Sequence, residues 1–97
     1  MSPVNSMHQE LDRAAAAWDE AGWPRPEVVL VSAGFDAYKD DPVGGLGLEI
    51  EDFHTITERI ARAAERTAKG RMISVLEGGY HLGALGPCVE QHLRALE

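Results

Sequence analysis

Val28-Val29-Leu30-Val31 runs into Ser32-Ala33-Gly34-Phe35-Asp36, and no other stretch constrains the fold as much. Four aliphatic residues in succession suit a strand buried on both faces, as in parallel sheets. Ser32, Ala33 and Gly34 are small, so the chain can turn there and another group can approach closely. Asp36, Asp40 and Asp41 then follow, ahead of Pro42-Val43-Gly44-Gly45. Asp36 stands just past the carboxyl end of the strand, where open parallel sheets bind ligands. On spacing alone, the expectation for Asp36 is a loop carboxylate capping backbone N–H groups.

A second run, Met72-Ile73-Ser74-Val75-Leu76, ends in Glu77-Gly78-Gly79-Tyr80. Between the runs, Phe53, Ile56, Ile60, Ala63 and Ala64 share one face of a helix expected from about Glu51 to Ala68, with Gly70 at its stop. Before the first run, residues 1–5 read as a polar lead. Met7, Leu11, Ala14, Ala15 and Trp18 then trace one face of a helix from Ser6 to Ala21. Gly22, Pro24 and Pro26 end it. This helix is expected to cover the first strand, with Trp18 and Trp23 as packing residues. After Tyr80, the positions Leu85, Val89, His92, Leu93 and Leu96 mark a helix from about Leu82 to Leu96. Pro87 must then lie near its first turn.

The order helix, strand, loop, helix, strand, turn, helix contains one βαβ unit, whose strands must be parallel. Both strands therefore end on the same edge. Asp36 and Tyr80, each four residues beyond a strand, should converge at one mouth. The fold class is α/β: a partial parallel sheet, one βαβ unit with flanking helices. A two-stranded parallel sheet is not a complete domain. The chain is expected to be a piece of something larger, or to pair with another chain.

With 97 residues there is room for one domain at most, burying roughly 60–65% of its unfolded surface. Hydrophobic residues at 44% place it among packed chains, not disordered ones. A net charge of −7 argues against nucleic acid, which needs a basic face. No run approaches the ~20 apolar residues of a membrane span. Residues 1–9 lack a signal-peptide pattern, and Cys88 is the only cysteine, so a cytoplasmic location is expected.

Several chemistries are missing from the sequence. There is no Gly-x-Ser-x-Gly elbow, and Gly44-Gly45-Leu46-Gly47 is not followed by the Lys-Ser/Thr of a phosphate loop. Asp52 and His54 lie two apart at a helix start and cannot easily grip one ion. Asp52 reads as a favourable first-turn carboxylate and His54 as a surface residue. His8, His81 and His92 read as bystanders, with His81 of more interest because it adjoins the mouth. Cys88 reads as a small buried apolar residue.

Val-Leu-Val-Ser-Ala-Gly-Phe-Asp-Ala at 29–37, then Asp41-Pro42-Val43-Gly44-Gly45, then Leu-Glu-Gly-Gly-Tyr at 76–80, together resemble the zinc-dependent histone deacetylase family. The likeness is greatest to class II-type and bacterial deacetylases and acetylpolyamine amidohydrolases, and runs from about Pro26 to the end. It implies the three-layer arginase/deacetylase fold and hydrolysis of acetyl-lysine or acetylpolyamine amides by water attack at Zn2+. It further implies a role for each matching residue. Asp36 would be one of about three zinc ligands. Tyr80 would hydrogen-bond the substrate carbonyl and stabilise the oxyanion. Gly78 and Gly79 would line the acyl-lysine tunnel, and Val43 would stand at the pocket wall. Tyr38 replaces a histidine frequent in the family. These roles agree with what a hydrolytic zinc and an oxyanion donor require.

The family's Asp-x-His ligand pair and paired catalytic histidines lie upstream and have no counterpart here. Residues 1–97 are therefore expected to be the carboxy-terminal part of a deacetylase domain, with 1–25 a leading helix and 26–97 the segment bearing the matching residues. The chain alone is expected to be inactive, needing the missing amino-terminal segment or another chain. The alternatives are a non-catalytic remnant or interaction module that completes its sheet with a partner, and an unrelated α/β domain in which Asp36 caps a turn.

Overall fold

In the computed structural model, which describes residues 2–97, the first helix begins earlier than its apolar spacing implies. Helix α1 spans Pro3–Glu20. Ser2 caps it, its Oγ accepting from the Asn5 N–H at 3.3 Å, and Pro3 occupies the first turn, where its missing N–H costs nothing. Residues 3–5 of the expected polar lead are thus helical, and Met1 lies outside the described residues. The expectation that α1 covers the first strand fails. No residue of α1 is buried, and its main contact is with the next helix, where Arg59 forks onto both carboxylate oxygens of Asp12 at 2.8 Å. Four alanines at 14–17 favour helix but offer little apolar area to bury. Trp18 and Trp23 pack edge to face on each other at 5.1 Å, and the Trp18 indole N–H donates to the Pro24 carbonyl.

Strand β1 (Val29–Gly34) pairs in parallel with β2 (Met72–Gly78) across helix α2 (Asp52–Ala68), as the βαβ reading requires. The register runs Val29–Met72, Leu30–Ile73, Val31–Ser74, Ser32–Val75 and Ala33–Leu76, then slips so that Gly34 faces Gly78. Helix α2 starts where the Asp52 carboxylate accepts the Glu49 N–H at 2.8 Å. It ends at Ala68, as expected, with left-handed backbone at Lys69 and Gly70 closing it.

The core gathers Ala33, Phe35, Leu48, Phe53, Ile56, Ala84 and Cys88 on one side of the sheet. Burial of both strand faces, expected from Val28 to Val31, is not found. Leu30 is 70% exposed and its neighbours Ile73 and Val75 on the same outward face are also bare. The reason is that α2 and the last helix pack on the inner face and α1 packs on α2, while each strand keeps one unpaired edge. Among the described residues, no helix is long and apolar enough to cross a membrane.

Helix α3 (Leu82–Ala95) is capped by His81, whose Nδ1 accepts the Ala84 N–H at 3.1 Å. Pro87 lies inside the helix, beyond the first turn where it was expected, because the His81 cap sets the start at Leu82. The buried stripe is Ala84, Cys88 and His92, so of the expected series only His92 is fully buried. Leu85 and Val89 are half-buried against the core, whereas Leu93 and Leu96 are exposed. Small residues at 84 and 88 let α3 sit close against the core.

His92 is not a bystander. It is buried with Nδ1 2.7 Å from Thr57 Oγ1 on α2 and Nε2 2.6 Å from Ser74 Oγ on β2, so one ring ties three elements. Burial pushes its pKa below the ordinary 6.5. An unfolded chain therefore binds a proton that the folded one refuses. Stability is full above that ordinary value and falls as pH drops through it toward the folded value. Denaturant unfolding between about pH 7.5 and pH 5.5 should show this loss, and His92→Gln, which keeps both polar partners, should flatten it.

Candidate active site

The loop after β1 is held from within. Leu48 is fully buried, its N–H donates to Ala37 and its carbonyl accepts from Lys39 at 2.8 Å, which folds residues 37–48 into a closed excursion. The Phe35 N–H donates to the Gly78 carbonyl at 2.8 Å, and this bond carries the β1–β2 ladder into the two loops. Both loops therefore leave from one edge of the sheet, the common edge expected for residues 36 and 80.

Asp36 is half-buried, and its carboxylate lies over the two glycines at the bulge. A Cβ at Gly34 would sit 3.2 Å from Asp36 Oδ1, and one at Gly78 3.5 Å from both carboxylate oxygens. Side chains there would crowd the carboxylate. The capping role expected for it from spacing is not found. Among the described residues, no donor or cation engages the Asp36 carboxylate, and only its backbone carbonyl is used, by the Gly45 N–H at 2.9 Å.

The cap is Asp41. Its Oδ1 accepts from Val43 at 2.8 Å and Gly44 at 3.1 Å, and its Oδ2 from Tyr80 at 2.8 Å and His81 at 3.2 Å. Burial pushes its pKa up, but the backbone N–H of Tyr80, then those of Val43, Gly44 and His81, outweigh burial and hold it below the usual carboxylate range. Sequence reasoning missed this residue. A partial signal was present, since an Asp accepting the N–H two residues on is a common turn, but the bonds to residues 80 and 81 have no local signature.

Gly44 has no room for a side chain, because a Cβ there would overlap the Asp36 backbone carbonyl. Gly79 adopts φ 139°, a conformation glycine tolerates, and a Cβ there would come within 2.7 Å of Leu85 Cδ1 and 3.2 Å of Phe35 Cβ. Tyr80 follows with its side chain half exposed. A shallow hollow runs from Leu76 past Gly78, Gly79 and Tyr80 to Leu85. Val43 is well exposed. His81 faces Tyr38 edge-on at 5.3 Å, and because its Nδ1 accepts a hydrogen bond, the proton of its neutral ring is on Nε2. His54 pairs with Glu58 at 3.4 Å on the surface, and Cys88 is buried as expected, with its thiol pKa pushed up.

A hydrolytic zinc takes about three protein ligands. Among the described residues, no group of three or more His, Cys, Asp or Glu side chains could hold a metal ion. The donors present therefore do not make such a site by themselves. Asp36 stands on the rim as a carboxylate that no described residue engages.

The arrangement is an α/β crossover that presents, on one edge, a carboxylate no described residue engages and a phenol-bearing loop. It superposes with a TM-score of 0.75 on an acetylpolyamine aminohydrolase from Burkholderia pseudomallei, over 98% of this chain and 25% of that one, at 24% identity. The fold is thus that of the arginase/deacetylase group, over the part the chain spans. Residues 5–96 match the histone deacetylase domain. The chain belongs to the histone deacetylase family. It is 49% identical over 75 residues to type-2 histone deacetylase 2 of Dictyostelium discoideum, covering 74% of this chain and 4% of that protein. It is 43% identical over 56 residues to a histone deacetylase-like amidohydrolase of Pseudomonas aeruginosa, covering 58% of this chain and 15% of that one.

Proposed function

We propose that residues 1–97 are the carboxy-terminal part of a zinc-dependent deacetylase domain, with 1–25 a leading helix and 26–97 the segment that forms one wall of the active site. The completed enzyme hydrolyses the amide of acetyl-lysine or an acetylpolyamine and works in the cytoplasm. The observation that carries this reading is the shared rim. Asp36 holds a carboxylate that no described residue engages, and Tyr80 is tethered to the same loop through Asp41 at 2.8 Å.

In this reading Asp36 contributes one metal ligand. Tyr80 donates its phenolic O–H to the substrate carbonyl and holds it more strongly as water attack turns that oxygen into an oxyanion, a contribution larger in the transition state than in the ground state. Gly78 and Gly79 line the narrow tunnel without filling it, and Val43 forms part of its wall. The other metal ligands and the general base come from a second polypeptide segment, whether the amino-terminal part of the same domain or another chain. The bare outward face of Leu30, Ile73 and Val75, together with the two open strand edges, supports such a partner. When bound, zinc would polarise the amide carbonyl and lower the pKa of the attacking water.

Calorimetric zinc titration tests this. The 97-residue chain alone should take up no stoichiometric zinc, whereas its assembly with a deacetylase amino-terminal segment should bind zinc and release acetate, and Asp36→Ala should abolish both. Tight zinc uptake by the isolated chain, lost in Asp36→Ala, would refute its incompleteness. An assembly that forms but neither binds zinc nor releases acetate would favour the second reading, a non-catalytic module held by the same bare sheet.

A further inference from the structure

We propose that Asp41 is a positioning residue for Tyr80, setting where the phenol stands relative to Asp36; the inference rests on the deacetylase reading above. Asp41 is 7% exposed, and its carboxylate is shared evenly between two loops. Oδ1 closes its own turn through Val43 and Gly44, and Oδ2 crosses 39 and 40 residues of sequence to hold the N–H groups of Tyr80 and His81. A turn-forming Asp needs only the first pair. The second pair has no local purpose, and it falls on the residue that would do the chemistry.

Tyr80 needs an external anchor. It follows Gly78-Gly79, the second with φ 139°, so its own backbone is weakly constrained. Its half-exposed side chain makes no hydrogen bond with any described residue. The other end of the tether reaches Asp36. The turn that Asp41 closes places Gly44 against the Asp36 carbonyl, and Gly45 donates to it. One carboxylate thus links the metal-ligand loop to the oxyanion loop. His81, held by the same oxygen, also caps α3, so the start of that helix is fixed in the same frame. Asparagine cannot substitute. It has one acceptor oxygen and would turn an NH2 toward two N–H donors.

Amide hydrogen exchange by NMR on the full chain tests the tether without any activity. In Asp41→Asn, exchange at Tyr80 and His81 should rise at least about tenfold, while the β1–β2 ladder amides keep their protection. Unchanged exchange at Tyr80 and His81 overturns the proposal. If Asp41→Asn loses ladder protection as well, Asp41→Glu, with its charge kept on a longer arm, is read instead: displaced Tyr80 and His81 amide resonances support the tether, and unmoved ones overturn it.

The assembled enzyme then tests the function. Asp41→Asn should lower kcat with KM little changed, and should cost nothing further in a Tyr80→Phe background. Losses that simply multiply overturn positioning through Tyr80. If Tyr80→Phe itself leaves kcat unchanged, the deacetylase reading has failed instead, and the exchange result still decides whether Asp41 ties the two loops.

Discussion

Leu48→Ala should lower the unfolding free energy by about 2–5 kcal/mol, the range for truncating a buried leucine in a core that cannot fully collapse. Leu48 is a loop residue with 0% exposure, packed with Phe35 and Phe53 in the main cluster. Its backbone bridges Ala37 and Lys39, so the side chain pins the excursion that carries Asp41. Small domains usually have only about 5–15 kcal/mol of stability in total, and this chain leaves one sheet face uncovered. The loss should therefore be a large fraction of the whole. Urea denaturation followed by circular dichroism would register it as a lower midpoint. An unmoved midpoint would mean that the loop after β1 is not part of the cooperative core.

Tyr80→Phe should behave in the opposite way. In the assembly that completes the site, it should reduce kcat by about 10²–10³, the cost of removing one oxyanion donor, and leave KM nearly unchanged. The same substitution should alter stability by no more than about 0.5 kcal/mol, because the side chain is half exposed and its hydroxyl bonds no described residue. Steady-state acetate release and denaturant unfolding, measured on the same preparations, separate the two effects. A kcat within a few-fold of the parent would remove Tyr80 from the reaction. A large stability loss with proportionate inactivation would make its role structural.

Periodicity placed α2 within a residue of its true start, because Phe53, Ile56 and Ala64 are large or close-packed enough for burial to follow spacing. It failed for α3, where spacing favours the leucines but packing selected Ala84 and Cys88, which allow closer approach. It placed His92 on the packed face but gave it no task, since a polar residue on an apolar stripe reads as incidental until Thr57 and Ser74 arrive from two other elements to satisfy both ring nitrogens. The start of α1 was legible in principle from Ser2 and Pro3, a cap and first-turn signature that apolar counting ignores.

Residue order by itself determined the parallel crossover and hence the common edge for Asp36 and Tyr80, because strands joined through a helix must run the same way. Only the tertiary structure decided that Asp41, and not Asp36, is the tied carboxylate of that loop. Asp41 is tied because the donors that claim its second oxygen, on Tyr80 and His81, lie 39 and 40 residues along the chain. Asp36 meets no donor among the described residues, because its nearest neighbours across the bulge, Gly34 and Gly78, bring no side chain to it.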